Sequence, residues 1–229
     1  MNIAVIPARG GSKRIPRKNV KDFGGKPMIA WAISAAQECS LFDQIMVSTD
    51  DLEIAAISRE WGALTPFLRP AELANDTAGT VPVIAHALRE LRSEGFLFNY
   101  AACIYPCSPF LHAEDIRDAY TMLIDSGEDF VYPVTEYVHP TFRAMRRTLS
   151  GNMEFVFPES EMMRTQDLEV TYHDAGQFYW GKCDAWLAEK RMHTAGIGMV
   201  MPSWRFIDID NEDDWKRAEL LYKLQGHRG

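Results

Sequence analysis

The sequence predicts an α/β fold in which a mostly parallel sheet is covered by helices on both faces. Two observations predict it. Short apolar runs rich in β-branched residues alternate along the chain with segments of helical period. The first of these runs ends directly on a glycine-rich basic loop, at the end of a strand where such sheets bind their ligands. With 229 residues, 47% hydrophobic and 24% charged, the chain is long enough for one domain, residues 1–229, with a substantial core.

Residues 3–6 are continuously apolar up to Pro7, as in a strand buried on both faces. After the loop, Met28, Ile29, Ala32, Ile33 and Ala36 recur at helical spacing, with Pro27 tolerated in a first turn. A strand is expected at 44–47, a helix at 52–61, a short strand at 64–68 and a helix at 81–93. Strand 101–105, helix 113–126 and strand 130–134 continue the rhythm. Between Thr135 and Tyr172 it breaks into polar sequence with proline and methionine, with hairpin strands expected near 144–148 and 153–157. Residues 135–172 therefore form an expected insertion or arm. Strand 177–180, a helix from Asp184 to about Arg191, strands 199–201 and 206–209, and helix 212–224 complete the pattern.

Charge and composition exclude several classes. The formal net charge is −8, from 32 acidic and 24 basic residues, so the broad attraction needed for nucleic acid is absent. No apolar stretch reaches the roughly 18 residues of a membrane span, and the opening apolar run is too short for a signal segment. Cys39, Cys103, Cys107 and Cys183 form no CxxC pair, which points to a reducing cytoplasm.

Residues 8–19 put two glycines, a serine and five cations where an anion should lie. Glycine lets backbone N–H groups approach phosphate, and Arg9, Ser12, Lys13 and Lys18 are the candidates to bind it. The alternative is a solvated basic loop, which its position after the first strand disfavours. The loop is neither a Walker A sequence nor a GxGxxG fingerprint, which disfavours a P-loop ATPase or an NAD(P)-dependent oxidoreductase. At the other end of the chain, Asp208 and Asp210 alternate with Ile207 and Ile209, so an extended segment points both carboxylates one way. Such a pair suits magnesium. Alternatively the acids cap the next helix, and both roles can coexist if Asn211 caps.

The segment IAVIPARGGSKRIPRKN at 3–19 resembles the opening of the acylneuraminate cytidylyltransferase family. VSTDD at 47–51, LRPAELANDTAGT at 68–80, SPF at 108–110 and IDID at 207–210 follow in the family's order, so the resemblance spans nearly the whole chain. It implies a three-layer fold like that of nucleotide-diphospho-sugar transferases. It also implies that Arg9, Ser12, Lys13, Lys18 and Asn19 surround the phosphates and ribose of CTP, that Arg69 and Thr80 contribute to a cytosine pocket, and that Asp208 and Asp210 bind Mg2+. YHDAGQFYW at 172–180, with FLRP and CIYPCSPF, is similar to the branch acting on pseudaminic acid. Sialic acid enzymes of the family carry glutamine where Tyr105 stands and an Asn-Gly-Ala-like sequence at 175–177.

By this resemblance Tyr105, His173, Asp174, Gln177 and Tyr179 contact the sugar, while strand alternation puts Phe178 and Trp180 in a core and Gln177 and Tyr179 on the opposite face. The implied reaction is attack of the sugar's anomeric hydroxyl on the α-phosphorus of CTP, with Arg9, Lys13, Lys18, Asp208 and Asp210 as the catalytic set. Metal-assisted deprotonation, Asp208 and a bound water all remain open as the base. Alternatives are the N-acetylneuraminic, legionaminic or 3-deoxy-manno-octulosonic acid reaction, or a non-catalytic nucleotide-binding regulator. The resemblance further implies a homodimer, with the 135–172 arm able to exchange, and a product destined for surface glycans or flagellin glycosylation.

Overall fold

A computed structural model of the chain describes residues 1–75, 77–205 and 207–225. Strand β1 (Asn2–Pro7) carries the expected apolar run, with Ile3, Ala4, Val5 and Ile6 all fully buried. The short antiparallel pair β2 (Asp22–Phe23) and β3 (Lys26–Pro27) closes the glycine loop and delivers the chain into α1 (Met28–Cys39). Then follow β4 (Gln44–Ser48), α2 (Leu52–Glu60), α3 (Thr80–Ser93), β5 (Tyr100–Ile104), α4 (Ala113–Ser126) and β6 (Phe130–Glu136). The hairpin β7 (Met145–Arg147) and β8 (Met153–Phe155) lies in the irregular segment, where Met145, Leu149 and Met153 are exposed. After it come β9 (Tyr172–Asp174), β10 (Phe178–Lys182), α5 (Cys183–Leu187), β11 (Gly196–Met201) and α6 (Glu212–Leu224).

The main sheet runs β11-β6-β10-β5-β1-β4, with β9 also on β6. β1 is parallel to β4 and β5, and β11 is parallel to β6, while β10 is antiparallel to both β5 and β6. Hence β1, β4, β5, β6 and β11 share one direction, and the glycine loop leaves the carboxyl end of β1. Alternating side chains of these buried strands feed two cores. Ala4, Ile6, Val47, Ile104, Phe178 and Trp180 pack with α1 and α4 on one face. Ile3, Val5, Met46, Cys103 and Tyr179 pack with α3 and α5 on the other. The three layers are those expected, with both faces of β10 buried.

A third cluster joins the glycine loop to the C-terminal helix: Ile15, Phe23, Met28 and Phe110 meet Ile209, Trp215 and Ala218. Phe23 stands at its centre, edge-on to Trp31, Phe110, Trp215 and Tyr222 at centroid distances of 5.4 to 6.3 Å. Gly24, at φ 61°, passes so near that a Cβ there would lie 2.6 Å from the Tyr222 ring. This packing brings the chain before α6 back against residues 15–23.

Three expected elements differ. In place of a strand at 64–68 there are two isolated bridges to the β4 side, Met46 with Leu64 and Thr49 with Leu68. Pro66 lies between them and has no N–H to continue a ladder. The helix expected to reach about Arg191 stops at Leu187, because Glu189 turns the chain at φ 52° and its side chain is tied to Arg89 at 2.7 Å. The strand expected at 206–209 is not formed at 207–210, and Phe206 lies outside the described residues. That stretch is held by packing and by Lys18 Nζ, which donates to Ile209 O at 2.6 Å. The alternation survives without the ladder: Ile209 is buried, Ile207 packs on the same cluster, and Asp208 reaches solvent.

Candidate active site

The glycine loop is anchored at both ends by the acids that follow β4. Ala8 N–H donates to Ser48 O, and Gly10 N–H donates to Asp50 Oδ1, each at 2.9 Å. A Cβ on Gly10 would lie 2.7 Å from Asp51 Oδ2 and 2.9 Å from Asp51 Cβ, so only glycine permits this approach. At the far end Arg17 adopts φ 57° and grips Asp51 with both amino groups, at 2.6 and 3.1 Å, while also reaching Glu53. Asp51 in turn caps α2 by accepting from the N–H groups of Glu53 and Ile54. The Arg17 hydrogen bond pulls the Asp51 carboxyl down to about 2, against the opposing effect of burial. Arg17, raised by the same bond, is thereby committed to holding the loop.

Arg14 and Lys18 face the C-terminal carboxylates instead. Arg14 Nη2 lies 2.9 Å from Asp210 Oδ1, and Lys18 Nζ 3.8 Å from the same oxygen. The capping box of α6 is made by Asn211 and Asp214, and Asp214 Oδ2 accepts from the backbone of Asp210 and Asn211 at 3.1 and 3.2 Å. The side chains of Asp208 and Asp210 take no part in that cap, so capping and metal binding are compatible. Desolvation, then the neighbouring Asp210, pushes the Asp208 carboxyl above its ordinary range, with Lys18 opposing. Two adjacent hard-oxygen donors whose charges disfavour each other fit Mg2+, since a divalent cation relieves that conflict.

Residues 105–108 link this half of the site to the predicted sugar side. Cys107 Sγ donates to Asn19 Oδ1 at 3.4 Å, while Asn19 Nδ2 donates to Arg9 O at 2.9 Å. Asn19 is buried, so it shapes the loop around Arg9 through these two bonds. Burial pushes the Cys107 thiol up to about 11, with Lys18, Asp208 and Asp210 all close enough to act on it. Tyr105 N–H donates to Gln177 O at 2.8 Å, and Ser108 Oγ to the same carbonyl at 3.5 Å. The Gln177 side chain is buried with Oε1 unpartnered.

Thr80, in the first turn of α3, shares a 2.7 Å hydrogen bond with the Tyr105 hydroxyl. Tyr179 OH donates to Asp174 Oδ2 at 2.7 Å, and His193 Nε2 meets the same oxygen at 2.7 Å. His173 lies next in the chain, with Nδ1 3.0 Å from Asp174 O and its ring against Tyr137. Arg69 is buried behind the loop, 3.9 Å from Asp50, with Nε unpartnered. Burial lowers its guanidinium pKa, Asp50 opposes and Arg9 adds, which places Arg69 within the field of the loop. Ser12 closes a tight turn on Gly10 O at 3.0 Å, and Lys13 is exposed beside it. The structure thus draws the loop, Arg69 and Asp208 to Asp210 together, and joins Thr80 to the sugar-side strand through Tyr105. Asp50, Asp51 and Cys107 lie within the motifs of the resemblance and Asp214 within the first turn of the capped helix, but the sequence singles out none of them as a candidate site residue, and His193 stands in no motif at all.

The chain matches the model of the cytidylyltransferase family over residues 3–189. Over 227 residues it is 37% identical to pseudaminic acid cytidylyltransferase of Campylobacter jejuni serotype O:2, covering 97% of each chain. It is 31% identical over 230 residues to CMP-N,N'-diacetyllegionaminic acid synthase of Legionella pneumophila, covering 97% of this chain and 96% of that one. In fold it is similar to CMP:2-keto-3-deoxy-manno-octonic acid synthetase complexed with CTP, at a TM-score of 0.72 and 15% identity over 98% of this chain and 99% of that one. Fold and relatives together define a nucleotidyltransferase. The chain belongs to the cytidylyltransferase family.

Proposed function

We propose that this chain transfers CMP from CTP to pseudaminic acid, forming CMP-pseudaminic acid and releasing pyrophosphate. The observation that carries the reaction is the meeting of the glycine loop with Asp208 and Asp210 beside the carboxyl end of β1, where Arg14 and Lys18 already face Asp210. Similarity to the Campylobacter enzyme supports the choice of acid. Arg9 and Lys13, with backbone N–H groups of the loop, bind the triphosphate and stabilise charge on the departing pyrophosphate. Lys18, fixed by Ile209 O, holds the two ends of the site together. Arg69 and Thr80 border the base, and Tyr105, His173, Asp174, Gln177 and Tyr179 build the sugar side.

Asp208 and Asp210 would hold Mg2+, which when bound polarises phosphate oxygen and favours the ionised sugar hydroxyl. Among the described residues no helix is long and apolar enough to cross a membrane. A cytoplasmic setting fits the use of CTP and the free cysteines. Dimerisation through the 135–172 arm is supported by Met145, Leu149, Met153 and Met162, which a lone chain leaves in water. Light scattering is expected to give twice the chain mass, and a monomer at assay concentration would reject the dimer.

The test of function is pyrophosphate release from CTP and Mg2+ with pseudaminic, legionaminic, N-acetylneuraminic or 3-deoxy-manno-octulosonic acid, with the CMP-sugar confirmed by mass. Preference for pseudaminic acid is expected. Turnover of another acid alone would change the substrate and keep the mechanism, whereas CTP binding without product from any acid would point to a regulator.

A further inference from the structure

Asp208 and Asp210 stand on a length of chain that no strand ladder holds, so their aim depends on how that length is tied. Met201 ends β11 at the edge of the sheet, and Ile209 joins the cluster of Ile15 and Phe23 beyond the end of β1, four strand spacings away. At about 4.8 Å per spacing the crossing is roughly 19 Å. Residues 202–209 reach at most about 28 Å when fully extended. A turn at their start, Arg205 N–H to Pro202 O at 3.0 Å, shortens that reach. The segment has little slack, so a fixed point on it governs where its end lies.

The far end is tied by Lys18 Nζ on Ile209 O and by the α6 cap on the Asp210 N–H. The near end is tied by Arg205. Its Nη1 and Nη2 donate to Oδ1 and Oδ2 of Asp115 at 3.0 and 2.8 Å, a fork that sets direction as well as distance. Asp115 is buried in the first turn of α4, and α4 packs against β6 and β10. The chain enters α4 just after Phe110, which belongs to the same cluster as Ile209. Asp115 and the glycine-loop side are therefore parts of one packed frame, and Arg205 fastens the crossing segment to it.

Arg205 precedes Asp208 by about 10 Å of extended chain, so it acts through the backbone and not on a ligand. We propose that the Asp115–Arg205 pair is the positioning device of the metal site, holding the crossing segment so that Asp208 and Asp210 present their carboxylates to Mg2+ beside the glycine loop. This rests on the reading of Asp208 and Asp210 as Mg2+ ligands and extends it to two residues which that reading leaves out. A pair that served stability alone could be exchanged for apolar side chains at little cost, because the desolvation of two charges offsets much of their attraction. The direction set by the fork would not survive the exchange.

The test is therefore the double variant Asp115→Leu with Arg205→Met, which leaves no buried charge unpaired, beside Arg205→Lys, which keeps the charge and loses the fork. Calorimetric affinity for CTP, measured with Mg2+ and again in EDTA, gives the enhancement that the metal supplies. In the double variant this enhancement is expected to fall about tenfold, while the affinity in EDTA stays near that of wild type and the unfolding transition remains cooperative. Arg205→Lys is expected to lie between the two. A wild-type enhancement in a folded double variant, or equal weakening with and without the metal, would overturn the inference. Should the double variant fail to fold, the same ratio in Arg205→Lys decides, and an unchanged ratio there overturns it. Wild-type protein that gains nothing from Mg2+ would strike the metal reading itself, and the inference with it.

Discussion

Arg17 and Arg14 stand three residues apart in a loop of five cations, yet their partners differ: Arg17 grips Asp51, and Arg14 faces Asp210. Composition places all five beside an expected anion, and only Arg9, Lys13 and Lys18 among them are candidates to bind it. The distinction comes from the φ of 57° at Arg17 and from an acid 34 residues further on, neither of which is visible locally. Asp208 and Asp210 are marked instead by their alternation with two isoleucines, of which Ile209 is buried and Ile207 packs on the same cluster although no ladder forms. Asp208→Asn is expected to abolish turnover while leaving the unfolding transition in place, and near-normal turnover in saturating Mg2+ would remove it from the catalytic set. The Arg17 pair makes a pH prediction. Asp51 is pulled down from its ordinary 3.8 to about 2, so the stabilisation is complete above the ordinary value and is lost as pH falls through the lower one. Because Arg17 is 39% exposed, Arg17→Met should cost less than about 1 kcal/mol near neutrality. Its stability curve should converge on that of wild type between about pH 4 and pH 2, and curves that remain apart there would show that the pair is not the cause.

At the scale of elements, α4 and α6 were readable to the residue because each has both an amphipathic stripe and chemistry at its ends. Gly127 ends α4 in the left-handed region, and Asn211 begins α6 with a full capping box. The elements that differ lack such signals or depend on a remote partner: Pro66 interrupts an edge, and residues 207–210 are held by packing of Ile207 and Ile209 in the cluster of Phe23 and Trp215 and not by a neighbouring strand. The cap of α6 also fixes the backbone of a candidate metal ligand, since Asp214 accepts from the Asp210 N–H. Asn211→Ala should therefore lower stability by about 1 kcal/mol and also raise the Mg2+ concentration needed for half-maximal turnover. Denaturant titration and metal titration of one preparation separate the two effects, and a stability loss with an unchanged metal requirement would uncouple the cap from the site.

For the whole molecule, the three-layer class followed from the alternation of runs, but the sequence contained no sign that a late strand would enter the middle of the sheet. An apolar run such as 178–180 fits either strand direction, and only its neighbours decide. β10 lies between β5 and β6, where Trp180 is fully buried, stacks on Phe42 at 5.0 Å and donates its indole N–H to Ile116 O at 2.9 Å. Trp180→Ala is expected to cost about 3 to 5 kcal/mol and to unfold the chain near 37 °C. A melting temperature within a few degrees of wild type would show that the two halves of the sheet do not depend on this strand. The same placement bears on how the protein is born. On the ribosome β4, β1 and β5 can pair as they emerge, but the inner edge of β5 stays open, and β6 waits without its main-sheet partners, until β9, β10 and β11 have been made. A nascent chain that stalls before residue 178 would display the open edge of β5 and a β6 without either main-sheet neighbour, a form prone to chaperone capture and aggregation.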